Sequence, residues 1–276
     1  MIKDVMVRLD GTEADEARIA AGDRIAETFQ SHIIGLYINV LPLLIPADGD
    51  SAGAIYAAEL IQRARQAGDV VEARLTQRLA RLQKPVEIRR FDEFTDVIDD
   101  VAAREARAAD TFVALRPNGE PTDPDDLVEG VLFGSGRHLF LVPYGAEKNV
   151  VFERVMVAWN GSRESARALA EALPYLHKAS AVTIVAVVDD PEAEWDTLVG
   201  KDALTHLKHH GVNATLHHAK RSDRDVGAVL IEEAQRLNAG LIVMGGYGHS
   251  RLREWLLGGT TYELMHQAPV PLLVAH

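Results

Sequence analysis

The sequence predicts an α/β chain of two tandem domains, each a five-stranded parallel sheet with helices on both faces, related by a pseudo-twofold axis. Three observations predict it. Short apolar runs alternate with longer alanine-rich amphipathic runs, the pattern of βαβ units. The whole alternation occurs twice, so that Val5-Met-Val-Arg-Leu-Asp-Gly-Thr12 aligns with Val155-Met-Val-Ala-Trp-Asn-Gly-Ser162. Each copy also closes on an apolar strand, and a sheet edge has to be paired or protected. Pairing the two closing strands about a pseudo-twofold axis, as an intrachain version of a symmetric dimer, satisfies both copies at once.

The elements follow in order. After the first strand of each copy, helical patterns run from Glu13 to Phe29 and from Arg163 to Leu176. Second strands are expected at Ile33–Ile38 and Val182–Val188, with helices over about 52–83 and 192–210 behind them. Third strands, Val86–Arg90 and Ala214–His218, lead to helices at Phe94–Ala108 and Val226–Leu237. Fourth strands are Thr111–Leu115 and Leu241–Met244, and the closing strands are His138–Val142 and Val270–Ala275. The expected domains are residues 1–143 and 151–276, joined by a linker, Pro143–Asn149, with proline and glycine punctuation.

Composition removes several classes of function. The 276 residues include no cysteine, which excludes disulfides, thiolate metal sites and cysteine nucleophiles. The formal net charge of −12 disfavours binding to nucleic-acid backbones. No apolar run reaches membrane-span length. The chain enters a strand pattern at once, with no basic region followed by an apolar stretch, so no leader and a cytoplasmic location are expected.

The segment richest in chemistry is Met244-Gly-Gly-Tyr-Gly-His-Ser-Arg-Leu-Arg-Glu-Trp-Leu-Leu-Gly-Gly-Thr-Thr261. Glycines at 245, 248 and 258 give a G-x2-G-x9-G spacing behind a buried-strand pattern. Glycine lets the backbone come close to a ligand, and the free N–H groups that open a helix attract an anion such as phosphate. The competing structural reading is a tight strand-to-helix connection. Asn160-Gly161-Ser162 likewise reads as a turn that ends in a helix cap.

On these motifs and the tandem repeat, the sequence resembles the universal stress protein family in its tandem two-domain form, over essentially the whole chain. Some members of that family bind ATP through G-x2-G-x9-G followed by Ser or Thr. The resemblance implies that Gly245, Gly248 and Gly258 face phosphates and ribose, that the backbone of Val187 meets the adenine edge, and that His249 and Arg251 lie beside the phosphates. Two positions depart from the family pattern. Gly259 stands where a hydroxyl residue is usual, leaving Thr260 as the substitute donor. Asn160 stands where the family has Asp, and an amide does not hold a metal as an anion would. The resemblance therefore implies a stress-response protein with ATP or another adenine nucleotide in residues 151–276; magnesium is left open. The alternative is a nucleotide-independent scaffold or interaction protein of the same family.

The first copy carries Arg116–Asp126, a polar, proline-rich, acidic stretch in place of the glycine loop, with little room for a last helix. Asp123, Asp125 and Asp126 repel phosphates there, so its site reads as degenerate. No Gly-x-Ser-x-Gly elbow or G-x4-G-K-[ST] loop is present, and no catalytic residue or general base is assigned; slow ATP hydrolysis is the most the site suggests. His206 and His210, at i and i+4, read as an exposed polar face rather than a metal site, and His217 and His218 point to opposite faces of one strand. Leu41–Pro46 is expected as a buried connection, Asp92-Glu93 as a solvated strand end, and Phe133 as packing between the two copies. Partners are an intrachain pseudo-dimer, with a homodimer as an open option, and neither nucleic acid nor membrane.

Overall fold

In the computed structural model, residues 1–46, 51–117, 123–143, 145, 151–247 and 259–276 are described. The N-terminal half runs β1 (Asp4–Leu9), α1 (Asp15–Phe29), β2 (His32–Leu41), α2 (Ser51–Leu79), β3 (Val86–Phe94), α3 (Ile98–Ala106), β4 (Thr111–Leu115), α4 (Asp125–Gly134) and β5 (Leu139–Val142). The C-terminal half runs β6 (Arg154–Ala158), α5 (Arg163–Leu176), β7 (Ala181–Val188), α6 (Lys201–His209), β8 (Ala214–Lys220), α7 (Val226–Arg236), β9 (Leu241–Gly245), α8 (Thr260–Gln267) and β10 (Leu272–Ala275).

The ten strands among the described residues form one sheet in the order β3-β2-β1-β4-β5-β10-β9-β6-β7-β8, which follows the same plan inward from either edge. The expected pairing of the closing strands is present: Leu272 opposes Leu141, and Val274 opposes Leu139. This β5–β10 pair is antiparallel, and the other neighbours are parallel. A parallel sheet needs cover on both faces, because βαβ crossovers carry the helices over them. Strand residues alternate accordingly: Val5, Val7 and Leu9 pack against α1, α2, α5 and α6 on one face, and Met6 against α3, α4, α7 and α8 on the other. The core crosses the junction without a break, as Phe29, Phe140, Phe152 and Tyr175 form one aromatic cluster. Such ring pairs contribute about 0.5–1.5 kcal/mol each beyond their buried area.

Several sequence expectations are corrected. No single helix spans 192–210: a short 3-10 turn, Asp196–Leu198, precedes Gly200, whose φ of 85° ends regular structure before α6 begins. β3 runs on through Asp92-Glu93, so these residues lie inside a strand, where Asp92 accepts hydrogen bonds from Asn39 and Arg90. The N-terminal half does have a last helix, α4, and Asp125 and Asp126 form its first turn, where negative charge suits the helix dipole. The connection after β2 is not buried; Leu43, Leu44 and Ile45 are exposed.

Candidate functional site in the C-terminal half

β6 and β9 are neighbours in the sheet, yet the chain leaves them in opposite directions. α5 covers one face after β6, and α8 covers the other before β10. Where successive connections part like this, a crevice opens beyond the carboxyl ends of the strands, the usual ligand position in open α/β sheets. A cleft of about 260 Å³ occupies that place. Val185 and Val187 of β7, Met244 of β9, Val226 and Leu230 of α7, and Leu264 of α8 give it an apolar side. Asn160, Ser162, Ser165, Thr260 and Thr261 give it a rim of hydroxyl and amide groups. This combination suits a flat apolar ring joined to a polar tail.

Two helices begin at the rim. Ser162 caps α5, its Oγ accepting from the Ser165 N–H at 3.1 Å, as the cap reading expects. Gly161, with φ 74°, makes the turn into that cap, and Asn160 Oδ1 accepts from the Ser162 N–H at 3.1 Å. With its oxygen thus engaged, the Asn160 amide NH2 is the group free to donate toward the cleft. α8 starts behind Gly259, and its first residues Thr260 and Thr261 line the opposite wall. Thr261 Oγ1 accepts from the Tyr247 N–H at 3.1 Å, which ties the end of β9 to α8. The partial positive ends of both helices therefore face one cavity, an arrangement that favours an anionic group.

Gly245 makes the approach of β9 possible. A Cβ there would lie 2.5 Å from the Glu164 carbonyl carbon and from the Ser165 nitrogen, so any side chain would push β9 and α5 apart. Tyr247, just beyond, has φ 52°, a left-handed conformation uncommon for an aromatic residue, and its hydroxyl donates to Glu129 of α4 at 3.1 Å. Phe133 packs on Tyr247 and His276, so it bridges the halves as the sequence suggests.

Of the sequence-derived site residues, Asn160, Val187, Gly245 and Thr260 line the cleft, and Gly259 is the N-cap of α8. Gly248, His249 and Gly258, with Arg251, lie outside the described residues. The sequence reading missed Glu164, Ser165, Val226 and Leu230. Their signal is helical spacing: a helix starting at Arg163 turns 164, 165, 168 and 172 inward, and 226 and 230 share a face of α7. Glu164 is the one ionisable residue among the described residues that line the cleft. Burial alone would raise its pKa, but hydrogen bonds from Arg163, its own backbone and Ser162 outweigh this and hold it below the usual carboxylate range. The cleft thus contains a carboxylate that stays ionised near neutrality.

The corresponding place in the N-terminal half is filled. Arg18, fully buried on α1, donates Nε to Asp123 Oδ2 at 3.0 Å and Nη2 to Asp123 Oδ1 at 2.8 Å. It also reaches Asp15 at 2.8 Å and Asp10 at 3.0 Å. Arg8 lies 3.1 Å from both Asp10 and Asp123. Burial alone would raise Asp10, but the charges of Arg18 and Arg8 and the Thr12 hydrogen bonds lower it to about 2. Burial and the nearby Asp10 charge push Asp15 up to about 6, against the pull of Arg18 and two backbone N–H groups. Among the described residues no group of three or more His, Asp or Glu side chains forms a metal site; His206 lies exposed on α6 and His210 exposed at its C-cap.

Comparison with known proteins bears on this half directly. Residues 152–276 match the family model described as the universal stress protein family. A universal stress protein of Mycobacterium tuberculosis (strain ATCC 25618 / H37Rv) is 33% identical over 64 residues, a stretch covering 23% of this chain and 21% of that protein. The match therefore spans about a fifth of that relative's length. In three dimensions the whole chain resembles a universal stress protein from Archaeoglobus fulgidus DSM 4304, with a TM-score of 0.74 at 18% identity over 99% of this chain and 95% of the other. A functionally unknown protein from Pseudomonas aeruginosa PAO1 superposes with a TM-score of 0.62 at 14% identity, covering 99% and 92%. At these identities the superpositions establish a shared fold.

Proposed function

We propose that the chain, whose residues 152–276 match the universal stress protein family, binds an adenine nucleotide in its C-terminal half, with ATP the first ligand to test. The observation that carries this reading is the cleft beyond β6, β7 and β9, where the start of α5 and the start of α8 meet an apolar wall. The base would lie against Val187 and Leu230, with the Val187 backbone at its edge. Asn160 would donate to the sugar. The phosphates would lie between Thr260, the Gly259 N–H and the glycine segment that includes Gly248, His249 and Gly258. We further propose that residues 1–143 and 151–276 act as two domains about a pseudo-twofold axis through β5 and β10, the first a nucleotide-free partner. Nucleotide would stabilise the glycine loop and the last helix, α8, and so present an altered surface to a protein partner in a stress response.

Calorimetry on protein stripped of nucleotide, with ATP, AMP and adenosine, with and without magnesium, tests the reading. Saturable binding that disappears in Gly248→Asp supports it; absence of binding to any of the three refutes it.

One observation favours a second reading. Glu164 stays ionised inside the cleft, and a fixed negative charge opposes phosphates. The chain would then serve as a nucleotide-independent scaffold built on the paired halves. A partner captured equally well by wild type and by Gly248→Asp supports that alternative; loss of capture in a folded Gly248→Asp variant removes it.

A further inference from the structure

The aligned copies differ most where they would be expected to share a ligand site. Arg8, Asp15 and Arg18 of the first copy stand where the second has Ala158, Ser165 and Ala168. The second copy has a cleft there, and the first has charge. What fills it is Asp123, from the segment between β4 and α4, with a side chain of 0% exposure. Its carboxylate is held as a bound anion would be. Arg18 grips both oxygens through Nε and Nη2, the Leu115 N–H donates at 2.6 Å, and Arg8 Nε lies 3.1 Å away. A guanidinium that meets both oxygens of one carboxylate is the geometry of specific carboxylate recognition.

We propose that Arg8, Arg18 and the Leu115 N–H form a carboxylate-binding site in the N-terminal half, occupied in cis by Asp123. The class of ligand follows from charge and shape. Arg8 and Arg18 already face Asp10 and Asp15 as well as Asp123, so what takes the place of the Asp123 carboxylate can carry no more than its single charge, and the two-oxygen grip of Arg18 sets a planar shape. A monocarboxylate meets both conditions; a phosphate dianion brings too much charge. Room is limited to what the Asp123 carboxylate vacates, so formate is the fitting probe. The proposal stands independently of nucleotide binding in the C-terminal half.

The test uses the full chain with Asp123→Ala, which removes the internal carboxylate and keeps both arginines. Thermal unfolding is followed in sodium formate and in sodium chloride at equal ionic strength. At formate roughly tenfold above its Kd, the variant should gain about 2–5 °C over chloride, saturably, while wild type, its site already full, shows no difference between the salts. Amide exchange at Leu115 should slow in the variant when formate is added. Equal shifts in the two salts would leave Asp123 a structural counter-ion only and overturn the proposal. So would a formate effect as large in wild type as in the variant, because the binding would then lie elsewhere. If Asp123→Ala does not fold in chloride, recovery of a cooperative transition in formate supports the site, and failure of both Asp123→Ala and Asp123→Gly to recover overturns it.

Discussion

Asn160 sits at the turn between β6 and α5, lines the cleft, and accepts from the Ser162 N–H through its side-chain oxygen, which leaves its NH2 as the donor for a ligand. Replacing it with alanine should weaken nucleotide binding about five- to tenfold, the worth of one net hydrogen bond, as read by calorimetry. Glu164→Gln should act in the opposite sense. Removing a buried charge near the phosphates is worth on the order of 1 kcal/mol, so ATP should bind about fivefold tighter while adenosine is little changed. An equal effect on both ligands would place the phosphates away from α5. Asp15 gives a pH signature. Its pKa is raised from 3.8 to about 6, so the folded form holds a proton that the unfolded chain releases, and stability falls as pH rises from about 4 to about 6. Asp10, lowered to about 2, contributes stability present above about pH 4 and lost as pH falls toward 2. Urea unfolding between pH 4 and 7 should show wild type losing on the order of 2–3 kcal/mol relative to Asp15→Asn, whereas a pH-independent difference would contradict this. Much of this scale was hidden in the sequence. Glycine spacing pointed to Gly245 and the family resemblance to Thr260, but Arg18 and Asp123 meet across 105 residues, and only the fold brings them together.

At the scale of elements, the cleft depends on how closely β9 passes the start of α5. Gly245→Ala should destabilise the chain by about 1–3 kcal/mol, because the added carbon meets backbone rather than a side chain that can turn aside. Urea unfolding measures this, and a neutral result would mean that β9 and α5 yield easily. Elements were legible where periodicity was long and uninterrupted: α5 begins and ends where the pattern does, at Arg163 and Leu176. They were less legible where local chemistry misleads. The stretch before α4 reads as loop because it is rich in proline and aspartate, yet Pro124 and the two acidic residues after it suit a helix start. The stretch before α6 reads as helix until Gly200 takes a positive φ.

At the scale of the whole molecule, the two halves share one sheet and one aromatic cluster, and polar contacts reinforce the join. Glu171 of α5 accepts from the His138 N–H at 2.8 Å and meets its Nδ1 at 2.9 Å, while Arg167 donates to the Gly136 carbonyl at 2.7 Å. Burial alone would raise the Glu171 pKa, but His138 and Arg167 outweigh it and lower it. The stabilisation is therefore present at neutral pH and lost as pH falls through the depressed pKa. Glu171→Gln should cost about 1–3 kcal/mol at pH 7 by urea unfolding, and the cost should shrink in acid. The repeat made this join legible, since two closing strands with bare edges have a simple mutual solution; the ion cluster that distinguishes the first half from the second was not. That distinction makes the number of ligands per chain the most direct test of the account. Calorimetric titration of the stripped full chain with ATP should give one site per chain, because the N-terminal crevice is filled by Arg18 and Asp123 and the C-terminal one is open. Two sites per chain, or none, would contradict it.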